Sequence, residues 1–140
     1  MKALIVINAT LFLLISILHF YWAMGGRYGS ITVLPSKPDG QLLFKPGIFS
    51  TLVVALGLLI FALITLGNLY IFDQWIGINY IHAGTWIIAI IFIVRAIGDF
   101  KFVGFFKRIK GTAFARSDSR IYSPLSLTMG MISLFIVTHS

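Results

Sequence analysis

Cysteine and glutamate are absent, and the acidic residues number only four, all aspartate. Without thiols there is no disulfide scaffold, thiolate zinc site, iron–sulfur cluster or cysteine nucleophile. Membrane dithiol–disulfide chemistry, to which a small helical membrane protein is otherwise suited, goes with them. Charge of either sign is scarce, 11% of 140 residues, against roughly 25% in soluble domains. Apolar side chains fill the space: 59% of residues are hydrophobic and mean hydropathy is +0.98. So few charges cannot solvate the surface of a soluble globule, and so much apolar side chain excludes disorder. The charge that remains is lopsided, with eleven Lys and Arg and a net +7. In a membrane chain such an excess reports topology and anionic lipid before nucleic acid.

A spanning helix needs about 20 mostly apolar residues. Four stretches supply them, at about 3–23, 48–70, 76–97 and 123–138. Bare backbone cannot face lipid, so the expected fold is an all-α integral membrane protein. It is a four-transmembrane-helix bundle forming one membrane domain over residues 1–140. The first stretch has features of a signal peptide in Lys2, Ala23 and Gly25. Its apolar run is longer than a usual signal core, and His19-Phe20-Tyr21-Trp22 is bulky at the cut, which favours a retained helix. Ser123 fits an N-cap and Pro124 a first helical position, setting the expected start of the fourth helix.

With four spans, the first and third loops share one side. They hold Arg27, Lys37, Lys45, Lys101, Lys107, Arg108, Lys110, Arg116 and Arg120, and the other side holds only Lys2. Lys and Arg concentrate on cytoplasmic loops. The expectation is therefore an inner (cytoplasmic) membrane protein with both termini outside the cytoplasm.

Membrane helices associate through small and weakly polar faces. The candidate seams are Asn8, Phe12, Ser16, His19 and Ala23 on the first helix, and Thr51, Ala55, Leu58, Ala62 and Thr65 on the second. The third offers Thr85, Ala89, Phe92 and Ala96, and the fourth Ser126, Gly130 and Ser133.

The unusual polar residues gather at the basic end. His19, Tyr21, Trp22 and Arg27 close the first helix. Arg95 lies inside the end of the third, with Asp99 four positions on. Arg116, Asp118 and Tyr122 precede the fourth. Ionisable groups at membrane depth face a partner or a wet cavity. Arg95 has three readings. It snorkels to the interface, pairs with Asp99 one turn on, or holds an anionic group in its guanidinium fork. Gly98 ends the helix in one version of the second reading and turns Asp99 away, which keeps Asp118 in play. His19 is either a proton shuttle or a hydrogen-bond partner for a neighbouring helix. No metal is expected, because His82 and His139 fall at the opposite end from His19 and no carboxylate joins them.

The run from Phe100 to Phe114 places Phe102, Phe105, Phe106, Ile109 and Ala113 on one face if helical, with Lys101, Lys107, Arg108 and Lys110 largely off it. That is an amphipathic interfacial segment with a basic rim; the alternative is a solvated loop. Its aromatics suit lipid better than nucleic acid, so no nucleic-acid partner is expected. Gly25, Gly26 and Gly29 make no nucleotide fingerprint, since no strand precedes them and no P-loop Lys-Ser/Thr follows. They read as a tight turn out of the first helix. Nucleophile-elbow, zincin and kinase patterns are missing, and no cofactor is expected.

Several runs together resemble a family of small bacterial membrane proteins, domain of unknown function 3995. One is His-aromatic-Trp-Ala-x-Gly-Gly, met by His19, Tyr21, Trp22, Ala23, Gly25 and Gly26, with Phe20 inside the run. Another is Arg-Ala-x-Gly-Asp-Phe, met by Arg95, Ala96, Gly98, Asp99 and Phe100. The last is carried by Phe106, Arg108, Thr112, Phe114, Ala115, Asp118, Tyr122, Ser123, Pro124 and Leu125. The resemblance implies a four-helix membrane protein and no activity. The family pattern has Cys after Tyr-Ser-Pro-Leu, whereas this chain has Ser126, so a role resting on that thiol is not carried over.

Three functions follow as expectations, with no reaction assigned. The first is binding of a lipid, anionic by preference, or a small amphiphile between the inner ends of the first, third and fourth helices. Trp22 and Tyr122 would line that site, and Arg95 or Arg116 would meet the head group. The second is a structural or assembly subunit packing on a larger membrane complex or on copies of itself. The third is a membrane-embedded enzyme on a lipid-like substrate, with His19 or Asp99 as acid or base.

Overall fold

The computed structural model describes residues 1–28, 33–43, 45 and 47–140. Four helical segments among them are long and apolar enough to cross a membrane. They are α1 (Lys2–Ala23), α2 (Ile48–Gly67), α3 (Ile78–Ile97), and a last run made of α4 (Ala113–Ser117), a π-helical turn (Asp118–Tyr122) and α5 (Ser123–Thr138). The chain is an all-α bundle. α1 packs chiefly on α2 and α3 on α5, while α2–α3 and α1–α5 contacts close the ring.

Most residues of the candidate seams face inward, while His19 and Thr51 at the basic end are only half-buried. Asn8, Phe12, Ser16 and Ala23 are buried on α1, Ala55, Leu58, Ala62 and Thr65 on α2, Thr85, Ala89, Phe92 and Ala96 on α3, and Ser126, Gly130 and Ser133 on α5. Bulky Leu, Ile and Val on the opposite faces remain exposed, as a lipid-facing surface requires. Lipid is as apolar as leucine, so close packing and hydrogen bonds hold the helices together rather than apolar burial. Gly130 marks a close approach of α5 to α3, because a Cβ there would lie 2.9 Å from Ile93 Cγ1 and 3.0 Å from its backbone nitrogen. At the centre Phe12 meets Phe92 and Phe61 edge-on, with centroids 5.1 and 5.9 Å apart.

Three polar side chains link neighbouring segments of the bundle. Asn8 Nδ2 donates to Ser133 Oγ at 2.9 Å, Ser16 Oγ to the Ala55 carbonyl at 2.6 Å, and Asn68 Nδ2 to Thr85 Oγ1 at 2.9 Å.

Three boundaries differ from the sequence expectation. α2 stops at Gly67 rather than 70, because Leu69 and Tyr70 enter a turn in which Tyr70 takes φ 63°. α3 begins at Ile78 rather than 76, after a turn closed by Trp75 and Ile76 N–H on the Phe72 carbonyl. The last helical run begins at Ala113, and its N-cap is Thr112, whose Oγ1 accepts from Ala115 N–H at 3.0 Å. Ser123 is no cap but a fully buried residue inside the run. Pro124 lacks an N–H, and in a plain α-helix its ring would crowd the carbonyl four residues back. The π turn just before it, closed by Ser123 N–H on the Asp118 carbonyl, widens the ladder there.

Residues 98–111 form no helix. The aromatic spacing is overruled by Gly98 at φ 85° and Gly104 at φ 89°, a backbone region that side chains resist. The two glycines touch. A Cβ on Gly98 would sit 1.8 Å from the Val103 carbonyl oxygen, and one on Gly104 2.3 Å from that of Ile97.

Candidate functional site

The polar residues of the basic end are built from three local devices. The first ends α1. Gly25 N–H donates to the Trp22 carbonyl and Gly26 N–H to that of Tyr21, both at 3.0 Å, with Gly25 at φ 98°. This is the paired-bond helix stop that favours glycine, so the expected turn at Gly25 and Gly26 is present; Gly29 lies outside the described residues. Trp22 Nε1 then donates to the Tyr28 carbonyl at 2.8 Å, and Tyr28 N–H reaches Tyr21 Oη at 3.4 Å. His19 lies edge-on to Trp22 with centroids 4.9 Å apart. Its Nδ1–H donates to the Ile15 carbonyl at 2.8 Å, a bond within its own helix rather than to a neighbour.

The second device folds the loop after α3. Asp99 Oδ1 accepts from the N–H groups of Lys101, Phe102 and Val103 at 3.0, 2.8 and 3.0 Å. Desolvation raises its pKa, but these N–H groups, with its own, outweigh that and hold the carboxyl below the usual range. The Lys101 carbonyl accepts in turn from Arg108 and Ile109 N–H at 3.0 and 2.9 Å.

The third device anchors that loop on the last helical run. Asp118 is fully buried. Its Oδ1 accepts from Arg95 Nη2 at 2.9 Å, and its Oδ2 from Gly104 N–H at 2.8 Å and Lys107 Nζ at 3.1 Å. Lys107 is 3% exposed, and its ammonium also donates to the Gly104 carbonyl at 2.9 Å and Ser119 Oγ at 2.6 Å. Arg95 therefore pairs with Asp118 and not with Asp99. Lys107 belongs to this knot rather than to a basic rim. Its role has no signal in local spacing, since its acidic partner is eleven residues away. The knot has two cations for one carboxylate, and Arg95 Nη1 is buried without a hydrogen-bond partner.

Among the expected site residues, His19, Tyr21 and Trp22 come together at the end of α1, and Arg95 and Asp118 in the knot. Asp99 serves its own loop. Arg27 and Arg116 are exposed, and Tyr122 is half-buried with its ring centroid 6.1 Å from that of Phe114. Two surface pockets lie elsewhere. A groove of about 170 Å³ between α1 and α2 is lined by Ala9, Leu13, Leu59, Ala62 and Leu63. One of about 550 Å³ lies between the first and third loops, lined by Lys37, Asp39, Leu43, Lys101, Phe102 and Ile109.

Its wall on the first loop is a tight hairpin. Ser36 and Leu42 pair antiparallel, Gly40 N–H donates to the Lys37 carbonyl at 2.9 Å and Lys37 N–H to that of Gln41 at 2.8 Å. Lys37-Pro38-Asp39-Gly40 carries the turn signal that reveals it, with Pro, Asp and Gly in the positions such a turn favours.

The family model for proteins of unknown function described as DUF3995 matches residues 12–133, most of the chain, and the chain belongs to that family. No curated protein and no solved structure matches it.

Proposed function

We propose that this member of the DUF3995 family is a multi-pass protein of a bacterial inner membrane whose basic end faces the cytoplasm and binds an anionic lipid or amphiphile there. The nine-to-one distribution of Lys and Arg supports that orientation. One observation carries the binding reading. Both acidic groups of the 98–119 region are engaged internally, Asp99 by backbone N–H groups and Asp118 by the knot. Lys101, Arg108, Lys110, Arg116 and Arg120 meanwhile stay exposed, as do Phe100, Phe105 and Phe106 of the same stretch of chain. Positive charge beside apolar aromatics suits an anionic head group whose chains lie in the bilayer.

The subunit reading rests on small-residue faces, and those faces are already occupied inside the bundle. The enzyme reading asks for His19 or Asp99 as acid or base; Asp99 is held by three backbone N–H groups and His19 Nδ1–H is bonded within its own helix. The test is to purify the full chain in mild detergent and identify copurifying lipid by mass spectrometry. Enrichment of phosphatidylglycerol or cardiolipin over the membrane average is expected. A lipid profile equal to the bulk membrane overturns the reading.

A further inference from the structure

Resting on that reading, we infer that the groove between the two basic loops is a discrete head-group site for the phosphate of an anionic glycerolipid, with Lys37 and Lys101 as its ligands. Its volume, about 550 Å³, falls within the range of ligand pockets.

Both walls are held by local bonding. The 35–43 hairpin fixes Lys37, and Leu43 N–H is tied to the Pro35 carbonyl at 2.9 Å. Opposite, Asp99 holds the backbone of Lys101 and Phe102, and Ile109 N–H is tied to the Lys101 carbonyl. The Lys101 ammonium sits 5.2 Å from the centroid of the Phe102 ring, within cation–π distance.

The lining is amphipathic in the way a lipid head requires. Two ammonium groups accompany one carboxylate, and Asp39 Oδ1 already accepts from Gln41 N–H at 2.9 Å. One positive charge is left over for a phosphate. Leu43, Phe102 and Ile109 offer apolar contact to the glycerol and the start of the acyl chains. A soluble phosphate ester has no use for those three side chains, which points to a lipid.

The experiment uses the full chain in mild detergent, titrated with short-chain phosphatidylglycerol, phosphatidylcholine or inorganic phosphate, and read by native mass spectrometry. Lys37→Gln with Lys101→Gln is compared with Arg27→Gln and Lys45→Gln, which remove equal charge outside the groove. All four side chains are exposed, and unchanged melting temperatures verify folding. The groove pair should lose phosphatidylglycerol adducts roughly tenfold and the outer pair no more than about twofold. Lys37→Arg with Lys101→Arg should keep them.

Equal losses in both pairs would overturn the groove while leaving a diffuse anionic-lipid surface intact. Wild-type protein that takes phosphatidylcholine as readily as phosphatidylglycerol would overturn the proposed function itself. Full displacement by millimolar inorganic phosphate would overturn the lipid as occupant.

Discussion

The two ends of the bundle handle buried polarity in opposite ways. At the basic end a carboxylate accepts from a guanidinium, an ammonium and a backbone N–H, and together they fasten a loop to a helix. Toward the other end the buried groups are neutral amides and hydroxyls that link helix to helix. Asn8 meets Ser133 and Asn68 meets Thr85, and the amide oxygens Asn8 Oδ1 and Asn68 Oδ1 are left without partners. A neutral amide tolerates a missing bond at modest cost, whereas a charge at depth needs a counter-charge, which Arg95 keeps through Nη2 even though its Nη1 is left over. Charged groups thus gather where the chain leaves the membrane and must be folded back. Neutral ones serve where helices only need to be held side by side.

The contrast breaks most clearly at Asp118. Asp118→Ala strands Arg95 and Lys107, and should destabilise the fold by about 3–5 kcal/mol. Removing all three charges together, with Arg95→Met, Lys107→Met and Asp118→Leu, should restore most of that loss. Denaturant-induced unfolding in detergent measures both. A single variant less than about 1 kcal/mol below wild type would show that the knot does not hold the fold.

A smaller effect belongs to Asp99, an exposed charge acting on backbone N–H groups. Asp99→Ala should cost about 1 kcal/mol, the usual loss for a cap, reduced by solvent screening. Its folded pKa lies below the unfolded one. The stabilisation is therefore complete above the unfolded pKa of about 4, and is lost as pH falls through the folded value. Melting curves of wild type and Asp99→Ala should run parallel from neutral pH to about 4.5 and converge below it. A gap that persists unchanged in stronger acid would remove the carboxylate from the explanation.

The smallest expected change lies at the neutral end. Asn8→Ala should cost about 0.6 kcal/mol, as membrane hydrogen bonds commonly do. A loss matching that of Asp118→Ala would erase the distinction between the ends.

The spans and their seams are legible in the sequence because lipid imposes a length and a periodicity on them. The fourth helix is legible only in part. Arg116, Asp118 and Arg120 look like loop, and Pro124 looks like a start, until Arg95 and Lys107 neutralise Asp118 in the folded chain. Spacing alone favours Asp99, one turn on, as the partner of Arg95, and Gly98 is what keeps Asp118 in play. The backbone reversal at Gly98 and Gly104 decides between them, and that is a property of three-dimensional closure. The stretch 100–114 has the rhythm of an amphipathic helix, but the two glycines and Asp99 bend residues 98–111 into a compact loop.

The π turn before Pro124 acts as a phase correction along the last helix. Asp118 and Gly130 stand twelve positions apart, and an uninterrupted α-helix, at roughly 100° per residue, would set them roughly 120° apart around its axis. The additional residue accommodated between 118 and 123 removes one such step and narrows the angle to roughly 20°. Asp118 can then meet Arg95 on the same side of the helix that brings Gly130 against Ile93. A chain of the same length with plain α-helix through this turn would lose one of those two contacts with α3, whereas a chain one residue shorter there would keep both in phase.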